Sequence, residues 1–406
     1  MNRFLQRVAL RNYKSIASCD VELPALCFLV GPNGAGKSNF LDALRLVSDA
    51  LYTSLDIALR DRGGVEAVCR RSPDSQGIFH IRLDFELPSG QTGHYAFSVG
   101  AQNIGGLEVL GEECSILPAP SSPPTARSHY RLARGKVLSS SIPVPPAAKS
   151  DRLYLVNASG LEEFRPLYDS LSRMGFYNLS PDAIRHFPAS PTGIVLSHDG
   201  SNLASVLANL AAKAPETRAQ VEELLSEVVP QIASVTTQRM HVGDVLEFRQ
   251  GAGGASGRWA FAAADMSDGT LRALGVLVAL FQSASMPENP TPLVGIEEPE
   301  NALHPGAVGV LRDALRAAST RTQVLVTTHS PDLLDDKDVE AGSLLAVTNT
   351  DGVTTIAPVD EASRSAIEDR LYTAGELLRA NQLSPDPVQV CRQECSQTDL
   401  FEKRPQ

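Results

Sequence analysis

Three kinds of apolar pattern divide this chain. Residues 28–30, 293–296 and 324–327 are short unbroken apolar runs, the pattern of strands buried on both faces. Residues 78–87 and 95–99 alternate apolar with polar positions around Pro88-Ser89-Gly90, which predicts an antiparallel hairpin, and 107–117 and 130–138 continue the alternation. Phe40, Leu41, Leu44, Val47 and Leu51 recur at helical spacing, so a helix with one apolar face should follow the first buried strand. Helical spacing also dominates 161–174, 202–229, 274–281, 306–318 and 367–379. A strand, a helix and a strand over 293–327 make those two strands parallel neighbours. Residues 245–249 and 259–263 predict a hairpin around a glycine-rich turn at 251–257, with the single tryptophan, Trp259, as a packing residue. The Pro/Ser-rich stretches 118–124 and 139–146 read as mobile loops, and the tail from Asn381, with Pro385 and Pro387, as weakly ordered.

Chemistry enters at the join between the first buried strand and its helix, Gly31-Pro32-Asn33-Gly34-Ala35-Gly36-Lys37-Ser38-Asn39. This is G-x-x-x-x-G-K-S in the setting of strand, loop and helix, the phosphate-cradling P-loop. Glycines let backbone N–H groups approach a polyphosphate, and the helix N-terminus adds its positive end. Lys37 neutralises β- and γ-phosphates, and Ser38 offers its hydroxyl to Mg²⁺. Asn33, Gly34, Ala35, Gly36 and Asn39 complete the expected nucleotide contacts.

The strand at 293–296 ends in Glu297-Glu298, the acidic pair of a Walker B segment. Glu297 is expected to hold Mg²⁺, directly or through water, and Glu298 to polarise the attacking water. With Glu300 so close, a solvated acidic turn would look similar; the P-loop in the same chain favours the metal-and-base reading. The strand at 324–327 runs into Thr328-His329-Ser330-Pro331, which places His329 at the carboxyl end of a parallel sheet, where ligands of such sheets bind. There it could hydrogen-bond the γ-phosphate or the lytic water. Met266-Ser267-Asp268-Gly269-Thr270 precedes the apolar helix at 274–281. Ser267 or Asp268 suits an N-cap, so these residues form either a plain helix cap or a second anion-binding surface.

In this order, P-loop, Ser-x-Gly, hydrophobic-Glu-Glu, Pro299-Glu300-Asn301-Ala302-Leu303-His304-Pro305 and Thr-His-Ser, the chain resembles the ABC-type ATPases of the SMC/RecF class. It is most similar to the compact stand-alone ATPases related to the overcoming-lysogenisation-defect (OLD) proteins. Leu10-Arg11-Asn12-Tyr13-Lys14-Ser15-Ile16, His198-Asp199-Gly200-Ser201-Asn202-Leu203 and Gly375-Glu376-Leu377-Leu378-Arg379 share in the resemblance. It implies an α/β P-loop NTPase fold: an ABC-ATPase-like head with a mixed core sheet, an antiparallel β subdomain and a helical insert. It also implies ATP and Mg²⁺ as cofactors and a head-to-tail ATP sandwich, in which Ser267 and Gly269 of one protomer touch the γ-phosphate on its partner's P-loop. Three features depart from the family pattern. Asp268 stands for the usual second glycine and Thr270 for the following Gln or Glu. Glu297 replaces aspartate. No motif marks the Q-loop glutamine, for which Gln76 and Gln91 are the candidates.

The expected organisation is an N-terminal lobe with Walker A and the antiparallel subdomain (1–150), a helical insert (151–240), a C-terminal lobe with signature, Walker B and His motif (241–380), and a tail (381–406). Composition sharpens this only in places. The six cysteines form no C-x-x-C pair and no secreted-type framework, which suits a reduced, cytoplasmic chain and excludes a zinc hook. No signal peptide, membrane-length apolar run or sustained heptad is present, so neither a membrane partner nor a coiled-coil arm is expected. A net charge of −11 argues against unaided polyanion binding. Two basic clusters leave DNA as a partner: Arg60, Arg62, Arg70 and Arg71, and Arg127, His129, Arg131, Arg134 and Lys136; each also suits a solvated face.

The expected function is an ATPase whose ATP-gated homodimer, or larger even-numbered assembly, controls a separate effector, a nuclease or similar protein, in DNA repair or antiphage defence. The alternatives are a transporter's energising subunit and a nucleotide-sensing scaffold. The Asn-Tyr-Lys-Ser start weighs against the first. Lys37, Glu298 and His329 weigh against the second. Asp335-Asp336-Lys337-Asp338 reads as a helix-end charge run, not a Toprim metal cluster, so no nuclease is expected in this chain.

Overall fold

The computed structural model describes residues 3–72, 77–102, 106–120, 127–185, 193–240, 243–251 and 258–395. Its backbone forms two compact units, one made of Asn2–Met174 with Lys337–Gln406 and the other of Gly175–Asp336. The divisions expected at residues 150, 240 and 380 fall inside units rather than between them. Periodicity marks single elements, whereas unit membership is decided by which strands pair over long sequence separations.

The discontinuous unit is built on a mixed sheet. In spatial order its strands are Lys136–Ser140, Ser128–Ala133, Leu107–Leu117, Thr92–Ala101, Ile78–Glu86, Leu5–Tyr13, Ile16–Glu22, Val353–Pro358, Leu344–Thr350 and Leu26–Val30. Neighbours are antiparallel from Lys136–Ser140 as far as Ile16–Glu22. Val353–Pro358 is then parallel to Ile16–Glu22, and Leu344–Thr350 is parallel to Leu26–Val30. The predicted alternation holds: Phe79, Ile81, Leu83 and Phe85 are all buried. The single strand expected over 130–138 is a tight hairpin, turned at Arg134 and Gly135 with φ of 45° and 70°. A two-residue turn of this left-handed kind interrupts an apolar alternation too briefly to show in it.

Helix Lys37–Tyr52 follows strand Leu26–Val30 and buries Phe40, Leu41, Leu44, Val47 and Leu51, as its spacing predicts. Ser48 Oγ lies 3.1 and 3.2 Å from the Ser172 and Met174 carbonyls, which ties this helix to helix Arg165–Ser172. The helix expected over 367–379 is two, Glu361–Glu368 and Ala374–Arg379. Thr373 and Glu376 form a capping box that starts the second, so the Gly-Glu-Leu-Leu-Arg segment has a local structural role. The tail expected to be loose from Asn381 instead carries helix Pro387–Cys395. Gln393 Nε2 pins it by donating to the Asp20 and Ile356 carbonyls at 3.0 Å each. Residues 396–406 lie outside the described residues.

In the continuous unit, Gln323–Thr328, Leu293–Glu297 and Gly175–Tyr177 form a parallel sheet, confirming the predicted strand–helix–strand pairing and adding a third, unforeseen strand. The helix expected over 202–229 is broken into Leu203–Lys213 and Pro215–Val228. Pro215 lacks an N–H and pushes Ala214 out of the helical region, to φ −142° and ψ 66°. Strand Ile232–Met240 was not foreseen either; it pairs with Gly243–Gly251, which pairs with Arg258–Ala262, so the predicted hairpin is part of a three-stranded sheet. The expected insert over 151–240 therefore mixes helices with strands. Trp259 is 67 % exposed on that sheet, so it is not the packing residue expected. The turn at 252–257 and the Q-loop candidate Gln76 lie outside the described residues. Among the described residues no helix is long and apolar enough to cross a membrane.

Candidate phosphate cradle and acidic strand end

The P-loop leaves strand Leu26–Val30 and enters helix Lys37–Tyr52, as predicted. Gly31 packs so tightly that a Cβ there would overlap the Val347 carbonyl oxygen. Gly34 and Gly36 adopt φ of 77° and 103°, a region L residues avoid. Lys37 is only 5 % exposed, and its ammonium donates to the Gly31 and Pro32 carbonyls at 2.8 and 3.0 Å. The loop thus closes on its own lysine, a strong cation waiting on two neutral acceptors that an anionic phosphate oxygen would better. Asn33, Gly34 and Ser38 are exposed, Ala35 is buried, and the helix begins without a side-chain cap, so its positive N-terminal end faces the loop. Asn39 points elsewhere: its amide donates to Ser15 Oγ at 2.7 Å. Thr354, which no motif signalled, donates to the Ala35 carbonyl at 2.8 Å.

In the other unit, Glu298 follows strand Leu293–Glu297 with φ 43°, a left-handed conformation that costs a non-glycine residue about 1–3 kcal/mol. Its backbone is held there by Glu298 N–H donating to the Thr327 carbonyl at 2.9 Å and by Arg272, whose guanidinium lies 3.3 Å from the Glu298 carbonyl. The side chain is held as firmly. Asn301 Nδ2 donates to Glu298 Oε2 at 2.7 Å, and His329 Nδ1 lies 3.1 Å from Oε1. The structure therefore brings Glu298 and His329 together at the ends of adjacent parallel strands, with both side chains partly exposed. Glu300 lies beneath, 7 % exposed, and accepts from Thr328 Oγ1; burial holds its carboxyl above the usual range. Ser38 and Glu297 offer a hydroxyl and a carboxylate, hard oxygen donors of the kind Mg²⁺ takes.

Ser267 is the N-cap of helix Asp268–Phe281, accepting from Thr270 N at 3.2 Å. Gly269 is buried against the loop after Glu298, where a Cβ would overlap the Ala302 carbonyl oxygen. Asp268, the residue in place of the family's glycine, is ion-paired with Arg185, which also bonds the Met266 carbonyl. The His198–Leu203 segment is architectural: His198 Nδ1 meets the Phe176 carbonyl at 2.8 Å, and Asn202 bonds Ser197 N and the Val195 carbonyl. Gln91, the other Q-loop candidate, sits in a hairpin turn and accepts from Ser89. The first basic cluster is largely used within the fold. Arg62, 7 % exposed at its side chain, pairs with Asp42 and Asp49, Arg60 pairs with Asp56, and Arg70 donates to the Ser15 carbonyl. In the second cluster Arg131 lies 3.4 Å from the buried Glu113 and Arg127 donates to Ser115.

A family model described as "AAA domain, putative AbiEii toxin, Type IV TA system" matches residues 26–96 and 148–335. Over 111 residues the chain is 30% identical to the DNA replication and repair protein RecF of Magnetococcus marinus, which covers 27% of this chain and 28% of that protein. The RecF protein of Vibrio vulnificus is 30% identical over 122 residues, 28% of this chain and 31% of its own length. The matches thus span under a third of these relatives. Among solved structures, the chain is similar to an SMC head bound to the C-winged helix domain of ScpA, with TM-score 0.54, 13% identity, and 87% of this chain and 97% of that one covered. It is also similar to an SMC head with an extended coiled coil bound to the C-terminal domain of ScpA, derived from Pyrococcus furiosus, with TM-score 0.53, 12% identity, and 91% and 99% covered. At such identities the likeness is one of fold.

Proposed function

We propose that this chain, which belongs to that AAA-domain family and is an ABC-type ATPase of the SMC/RecF class, binds ATP with Mg²⁺ and hydrolyses it. The observation that carries the hydrolytic part is Glu298, held in a strained backbone between His329 and Asn301. A carboxylate fixed on both oxygens is oriented before substrate arrives, as a general base must be. His329 steadies that carboxylate and would hydrogen-bond a phosphate oxygen or the lytic water. Lys37 leaves its two carbonyls for the β- and γ-phosphates, while the Asn33–Ser38 backbone supplies N–H donors. Ser38 and Glu297 are the residues that would hold Mg²⁺, which when bound would supply positive charge against the phosphates.

The biological reading is finer. The likeness to RecF over part of the chain supports work beside DNA. The head-like fold supports a homodimer in which Ser267 and Gly269 of one protomer complete its partner's P-loop, with ATP gating a separate effector in repair or antiphage defence. A cytoplasmic location fits that role.

Lys37→Ala is expected to abolish ATP binding, and Glu298→Gln to keep binding while phosphate release falls by about 10²–10⁴-fold. Nucleotide titration and steady-state phosphate release measure the two. Wild-type turnover by Glu298→Gln would remove Glu298 from the role of base.

A further inference from the structure

We infer that Thr354 is a positioning residue of the phosphate cradle, acting on the Ala35–Gly36 peptide. The inference rests on the nucleotide-binding role proposed above for this loop. Thr354 lies in strand Val353–Pro358, far along the chain from the P-loop, and is 1 % exposed. Its hydroxyl donates to the Ala35 carbonyl at 2.8 Å. A threonine hydroxyl has one proton, so its contact with Ser15 Oγ at 2.7 Å must be one in which Ser15 donates. Ser15 Oγ in turn accepts from Asn39 Nδ2 at 2.7 Å. Counting protons therefore orders the chain in one direction: Asn39 to Ser15 to Thr354 to Ala35. It begins in the first turn of the P-loop helix and returns to the loop through two residues from elsewhere. Backbone bonding holds Thr354 itself, since its N–H donates to the Ser15 carbonyl at 2.9 Å.

The consequence for the cradle follows from the planarity of the peptide. In a trans peptide the C=O and the next N–H point in opposite directions. Fixing the Ala35 carbonyl on Thr354 therefore fixes the Gly36 N–H facing away from Thr354. Gly36 has no room to adjust: a Cβ on it would overlap the Thr354 hydroxyl, and its φ is 103°. Thr354 thus serves as the rigid back wall of the loop, and the oriented Gly36 N–H is one of the donors a P-loop aims at phosphate.

The test compares Thr354→Val, which keeps the shape and loses the hydroxyl, with Thr354→Ser, which keeps the hydroxyl. ATP affinity is read by titration, turnover by phosphate release, and folding by thermal melting without nucleotide. Thr354→Val is expected to bind ATP about tenfold more weakly, with the loss in KM and kcat nearly kept; Thr354→Ser should restore affinity. Wild-type affinity in Thr354→Val, or equal weakening in Thr354→Ser, would overturn the inference. If Thr354→Val does not fold, Ser15→Ala removes the donor to Thr354 and should weaken ATP binding about threefold, and wild-type affinity there would overturn it equally. A wild-type protein that binds no ATP would overturn the ATPase reading, and this inference with it.

Discussion

Glu300 shows how one residue's surroundings set a measurable property. Its carboxyl is buried and accepts from Thr328 Oγ1, and burial raises its affinity for a proton above the ordinary value of 4.5. The native state then holds that proton more tightly than the unfolded chain does. The stabilisation is fully present below about 4.5 and is lost as pH rises through the higher folded value. Glu300→Gln removes the titration and keeps the shape. The melting temperature of the wild type should therefore fall relative to Glu300→Gln as pH is raised from 4.5 towards neutrality. Glu112, buried and raised in the same direction, cancels in that comparison. Parallel melting curves across this range would show that Glu300 carries no such shift.

Among the elements, helix Asp268–Phe281 decides most. It is apolar on nearly every face and almost wholly buried, so its N-terminus is located by packing as well as by the Ser267 cap. Gly269 is where the helix meets the loop carrying Ala302, backbone against backbone. Gly269→Ala should destabilise the protein by about 1–3 kcal/mol, read in urea melts, because neither backbone can yield cheaply. An unchanged midpoint would mean that the helix end is free to shift. The ion pair of Arg185 with Asp268 balances the acidic residue beside Ser267 within the same unit.

For the whole molecule the sharpest expectation concerns assembly. A net charge of −11 gives single chains mutual repulsion, and ATP between two protomers would bring its own bridging contacts. Glu298→Gln with ATP and Mg²⁺ should accumulate as a dimer or larger even-numbered species in light scattering. Adding Ser267→Arg should return it to monomer, since a bulky side chain would block the γ-phosphate contact across the interface. A fully active protein that stays monomeric with ATP at every concentration would refute the sandwich.

The sequence by itself determined whatever is written within a few residues. The P-loop between its strand and helix and the parallel pairing of Leu293–Glu297 with Gln323–Thr328 follow from spacing and are observed, and of the two caps the sequence allows, Ser267 and Asp268, the structure uses Ser267. The alternation of the antiparallel strands also follows from spacing. Local breaks were harder to see: Pro215 and the Arg134-Gly135 turn divide elements that periodicity alone runs together. Only the tertiary structure decided which polar groups meet. Arg62 reads as a free basic residue until Asp42 and Asp49 enclose it, and Trp259 reads as core until its sheet leaves it open. Thr354 reaches Ala35 across 319 residues of chain. A hydrogen bond needs a donor and an acceptor within about 3 Å, and periodicity carries no record of which distant segments come that close. Charge, cap and turn are local properties of the chain; orientation and burial belong to the fold.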